Sequence, residues 1–207
     1  MSSDVAGLNL KEPDQMDWDN FNPGGKYQPP PDALDASGKA IIYNAQLPTT
    51  LGSKETLDAT QDGYRSFRVG PLTLVKNGNG ADGYQIRFYT VSVKKFNDRE
   101  GNPINVSSAG KLIRAAGVNA KPQRNAEYEA AIKACAGRIV PIVIDWEARN
   151  KDTGEEVKGF ENFPIDPATG RRKAILKAGD KLSNGEVVKS EVLFANARVR
   201  YVMDPRR

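Results

Sequence analysis

Asp145, and beyond a short polar turn Glu156 and Lys158, could by type and spacing hold a divalent metal. Two carboxylates would ligate the ion and the lysine would address a water or a phosphate, the donor set of a metal-dependent nuclease. Charged residues flanking an exposed hairpin turn give the same spacing, and alternating solvent-facing charge accounts equally for Asp145 and Glu147. Composition leaves an enzyme only carboxylates, lysines or a metal held by oxygen ligands. The 207 residues include no histidine and one cysteine, Cys135. Ser/His/Asp and Cys/His catalysis of the usual kinds, and a Cys/His zinc site within one chain, are therefore ruled out. Gly78, Gly80 and Gly83 satisfy G-x-G-x-x-G, but that pattern binds dinucleotides only between a strand and a helix. Here a strand follows, so a hairpin turn is expected and no cofactor is implied.

A second set of residues points to binding. Arg87, Tyr89, Lys94 and Phe96 lie in the stretch YQIRFYTVSVKKF, and Arg149, Lys158, Arg198 and Arg200 lie in other strand-like runs. Arg171, Arg172 and Lys173 crowd one loop, and Trp146, Phe160 and Phe163 belong to the segment from Asp145 to Pro164. Single-stranded nucleic acid is held by cations that track phosphates and aromatic faces that stack on bases, at about 1–3 kcal/mol per stacked base. Taken singly, each aromatic is better explained by core packing and each arginine by a solvated face. The charge balance adds weight to the group. Residues 1–38 carry seven acidic and two basic side chains, net −5, while 39–207 carry 28 basic and 19 acidic, net +9. A basic body with an acidic arm suits a polyanionic partner.

The elements that must position these residues follow from pattern. Prolines and glycines break any period in residues 1–38, which read as a flexible arm, leaving one domain over 39–207. AIIYNAQL (Ala40 to Leu47) suits a short strand or docking segment, and Tyr64 to Lys76 a strand bent at Gly70 and Pro71. In Tyr84 to Phe96 the apolar positions change parity, Ile86 and Phe88 being even and Val91 and Val93 odd. A bulge or sharp coil near Tyr89 and Thr90 is expected to carry the strand round a corner. Ser108 to Val118 suits a helix that buries Leu112, Ile113 and Ala116, and a second helix is expected from an Asn125 cap to Gly137. Arg138 to Arg149 should be a buried strand with a hairpin partner in Val157 to Pro164. Val192 to Asp204 should place Ala197, Val199, Tyr201 and Met203 on one face and Arg198 and Arg200 on the other.

The succession YQIRFYTVSVKKF, AGKLIRAAGV, CAGRIVPIVIDWEARNKDTGEEVKGFENFP and VLFANARVRYVM resembles the single-stranded-DNA-binding proteins of tailed phages, over roughly Tyr64 to Met203. The resemblance implies a mainly β domain with some helix: an OB-like five-stranded antiparallel barrel with a helix inserted after the third strand, whereas this chain's helices fall after its second long strand. It also implies non-catalytic coating of single-stranded DNA in phage replication or recombination. Replication or recombination proteins could engage the acidic arm, and the chain could form a homo-oligomer. A phage structural or assembly protein is the further alternative to the nuclease. With no apolar leader or membrane-length apolar run, the expected setting is the host cytoplasm.

Overall fold

In a computed structural model of the chain, residues 27–51, 56–59, 64–78, 80–94 and 106–203 are described, 56–59 by backbone alone. They form a mainly β structure with two helices, and every strand pairing is antiparallel. The strands are β1 (Ile42–Gln46), β2 (Thr56–Ala59), β3 (Arg65–Val69), β4 (Leu72–Leu74), β5 (Gln85–Ile86), β6 (Tyr89–Ser92), β7 (Ile139–Arg149), β8 (Glu156–Lys158), β9 (Ile175–Lys177) and β10 (Val192–Val202). The larger sheet runs β5-β4-β1-β7-β10-β9 with β8 also on β7, and the smaller runs β2-β3-β6.

One hairpin serves both sheets. β3 and β4 are halves of a single run interrupted at Gly70 and Pro71, and β5 and β6 are halves of its partner, interrupted at Arg87 and Phe88. Register passes through the interruption unshifted: Thr73 opposes Gln85 and Leu72 opposes Ile86 in one sheet, Val69 opposes Tyr89 and Ser66 opposes Ser92 in the other. The buried set changes parity on both strands together, from Phe67 and Val69 to Leu72 and Leu74, and from Val91 to Ile86. The expected bulge is therefore a corner turned by two strands in step. A side chain at Gly70 would lie 2.5 Å from the Arg87 carbonyl oxygen and 2.6 Å from Phe88 Cα, so glycine is what lets the strands approach so closely. Pro71 beside it has no N–H to extend the ladder. Glycines and Asn77 turn the hairpin, as expected: the Asn77 side chain accepts from the Asn44 amide of β1 at 2.7 Å.

β7 buries Val140, Ile142, Ile144, Trp146 and Ala148 toward the core, the apolar alternation its sequence requires. β10 pairs along it, but the partner of Val199 is Ile144 while that of Tyr201 is Val143, so one residue is extra at Arg200. The expected alternation holds through Val199, with Ala197 and Val199 buried, and the bulge overturns it beyond that point. Val199 and Val202 are buried while Tyr201 is exposed. No ring of strand pairings closes among the described residues. Near the open line, the Tyr84 hydroxyl accepts a hydrogen bond from the Ala197 amide of β10 at 3.2 Å.

Helix α1 (Ser108–Ala115) is capped by the Ser107 hydroxyl, which accepts from the Gly110 amide, and it buries Ala109, Leu112 and Ile113. Helix α2 (Asn125–Lys133) starts one residue earlier in its capping than the sequence suggests. Arg124 is the cap residue, and the Glu127 carboxylate accepts from the Gln123 and Arg124 amides. Cys135, just past α2, is fully buried and its thiol donates to the Ala131 carbonyl; burial pushes its pKa up to about 11. Among the described residues no helix is long and apolar enough to cross a membrane.

Of the expected arm 1–38, residues 1–26 lie outside the described residues. Its described part, from Tyr27, lies on the body as a strap: the Tyr27 hydroxyl donates to the Ala174 and Ala195 carbonyls, Trp146 Nε1–H to the Pro31 carbonyl at 2.8 Å, and the Tyr43 hydroxyl to the Asp32 carbonyl at 2.7 Å. Pro30 and Ala33 are buried there. An extended proline run offers unpaired carbonyls at fixed spacing, and indole and phenol donors meet them.

Candidate nucleic-acid interface

In β3 and β6 the odd-numbered Phe67, Val69 and Val91 enter the core, so the even-numbered side chains face the other way. Arg68 and Thr90 are exposed there, directly opposed, whereas the next opposed pair, Ser66 and Ser92, is buried at 7% and 8%. Tyr64 and Lys94, just beyond the strand ends, extend the alternation. Lys94 Nζ lies 5.6 Å from the centre of the Tyr64 ring, and Arg68 Cζ lies 4.7 Å from that of Phe88. Tyr64 and Phe88 are 45% and 42% exposed. A cation–aromatic pair thus stands at each end, roughly 13 Å apart from Tyr64 to Arg68 at ordinary strand rise, with the two serines between them buried. A ring with a cation beside it offers a stacking surface and a positive charge together.

Sequence reasoning reached only part of this face. Lys94 belongs to it, whereas Tyr64 and Arg68 carry no motif in the sequence and Phe88, apolar by type, reads as core. The parity of Tyr64, Arg68 and Lys94 was the available signal, but it becomes meaningful only once Ser66 is known to oppose Ser92. Arg87 is exposed at the corner, while Tyr89 turns half-buried toward the core, where burial raises its phenol pKa. Phe96 lies outside the described residues.

The other candidate aromatics are corrected by their burial. Trp146 and Phe163 are 2% and 0% exposed, and Phe160 is buried with them. The Trp146 ring meets Phe160 and Phe163 edge-on, with centroids 4.8 and 5.3 Å apart. Their faces are engaged by one another and by the strap, so they form core and not a stacking platform.

Several candidate cations are likewise committed to the protein. Arg172 donates to the carbonyls of Glu161 and Phe163 and lies over the Phe160 ring, which makes it a staple of its loop. Arg171 pairs with Asp32 of the strap at 3.4 Å, and Lys173 with Asp180 at 2.8 Å. These three do not form the free basic cluster their adjacency suggests. They line, with the strap, a cleft of about 1040 Å³ in which Asp32, Asp166 and Asp180 balance them. Arg149 and Arg200 are exposed on other parts of the larger sheet.

The nuclease set is also dispersed into local pairings. Asp145 is 7% exposed; its Oδ1 accepts from the Trp146 and Phe160 amides at 2.8 Å each, and its Oδ2 meets the Arg198 guanidinium at 3.2 Å. Arg198 also reaches Glu147, at 3.7 Å. Glu156 pairs with Lys158 at 2.6 Å. A carboxylate already accepting two amides and an arginine has little lone-pair capacity left for an ion. Among the described residues no group of three or more acidic, histidine or cysteine side chains is placed to hold a metal.

No family model matches the chain, and no curated protein or solved structure matches it either.

Proposed function

We propose that the chain binds single-stranded DNA, without sequence preference and without catalysis, along the outer face of β3 and β6, in phage DNA replication or recombination. The observation that carries this reading is the placing of Tyr64 with Lys94 and Phe88 with Arg68 on one face. The net charge of +9 over 39–207 supports it. So does an OB-like reading of the strands: β1, the bent runs β3–β4 and β5–β6, β7 and β10 serve as its five strands, and α1 and α2 follow the third. In that reading the Tyr84 hydroxyl bridges the junction of β5 and β10, where no ladder is formed among the described residues.

The test is fluorescence anisotropy of a labelled oligothymidine from low to high salt, against a duplex of equal length. Preference for the single strand is expected, with log affinity falling against log salt by about 0.7 per phosphate contact. Arg68→Ala should remove about one such contact from the slope, and Phe88→Leu should weaken binding with little change of slope. Absence of binding at low salt, or equal affinity for duplex, overturns the reading.

One observation favours the second reading, an assembly protein. Ile42 and Tyr201 both oppose Val143 and flank it on the outer face of β1, β7 and β10; Ile42 is 54% and Tyr201 40% exposed, while Val143 between them is buried. Light scattering that shows large assemblies without nucleic acid would support it.

A further inference from the structure

The cation–aromatic face does not end at Tyr64. Beyond it, a pocket of about 410 Å³ opens between the end of the hairpin and the start of α2; its walls include Tyr64, Arg65, Val93, Pro122, Asn125 and Tyr128. We infer that this pocket receives a single nucleobase, turned out of a strand that lies along β3 and β6; the inference rests on the proposed single-stranded DNA binding.

The chemistry of the walls selects this ligand. Val93 and Pro122 are apolar, and two phenol rings add stacking surfaces, which suits a flat aromatic heterocycle. Asn125, exposed at the first position of α2, brings a carboxamide that donates and accepts at once, as the edge of a base requires. Arg65 is held in place by Glu129 at 3.2 Å, and Glu129 is shared with Lys133 at 2.9 Å, so this trio keeps one net positive charge beside the pocket. None of the pocket's lining residues is a carboxylate. Glu127, nearby, is directed to the Gln123 and Arg124 amides. Because Tyr64 belongs both to the pocket and to the outer face, a strand following that face would bring its next base to the pocket mouth.

The test uses the full chain and an oligothymidine carrying one 5-iodouracil, crosslinked by light and mapped by peptide mass. Adducts on the peptide containing Tyr128 are expected. Tyr128→Leu should weaken oligothymidine binding about five-fold or more while leaving its salt slope unchanged, because a base contact releases no counterion. Asn125→Ala, at an exposed position, should weaken binding two- to ten-fold and does not depend on Tyr128→Leu folding. Wild-type affinity in both variants, with adducts confined to Phe88 or to other faces, overturns the pocket and leaves the wider reading intact. Failure of the wild-type chain to bind oligothymidine overturns both.

Discussion

Asp145 and Arg198 stand directly opposite one another on β7 and β10, with Oδ2 and Nη2 3.2 Å apart. Asp145 is 7% exposed, while the Arg198 side chain is 38% exposed with its Nε buried without a partner. Arg198→Ala would leave the carboxylate with its amide donors alone. A loss of about 1–2 kcal/mol of stability is expected, reduced from the fully buried case because the arginine is partly solvated. Arg200→Ala, at the exposed bulge, should leave the urea midpoint nearly unchanged. Equal midpoints for both variants would remove the pair from the structural role assigned to it.

Gly70→Ala should destabilise the chain by about 2 kcal/mol or more, since the clash is with backbone atoms of the opposite strand and no side chain can swing aside. Denaturant titration measures the loss. A neutral substitution would mean that the corner relaxes without cost.

Trp146→Phe keeps most of the ring and removes the indole N–H that meets the Pro31 carbonyl. The expected cost is about 1 kcal/mol. Amide exchange in residues 27–38 should accelerate more than exchange in β7, because the strap loses an anchor while the sheet keeps its ladder. Uniform acceleration would show instead that the core had loosened.

The Ser190 hydroxyl, followed by the Lys189 and Ser190 amides, holds the Glu155 carboxyl below its ordinary value. A folded pKa below the unfolded one stabilises the fold at pH above the unfolded value, and the contribution is lost as pH falls through the folded one. The stability difference between the wild-type chain and Glu155→Gln should therefore be full at neutral pH and vanish in acid. A difference that persisted in acid would assign the effect to packing.

Local pattern was enough to locate much of the fold. The apolar run of β7, the face of α1 and the glycine after it, and a corner in the Tyr84 to Phe96 stretch follow from periodicity and turn chemistry. The corner itself lies at Arg87 and Phe88, earlier than expected, because Phe88 is counted as core by its hydrophobicity while Gly70 of the other strand decides where both strands turn. The candidate site was less legible for the same kind of reason. Trp146 is covered by Pro31, and Arg171 is paired with Asp32, contacts that join distant parts of the chain. Residue type says what such groups could bind; only the fold says that they are already engaged.

Because the corner hairpin keeps one count of residues through both sheets, its chain length is as much a part of its design as its side chains. Removing a single residue from β3 would turn that strand over from the break onward, exchanging the exposed Arg68 for a neighbour that now fills the core. The outer face can accept many changes of letter but none of phase, so variation in length belongs to the connecting loops.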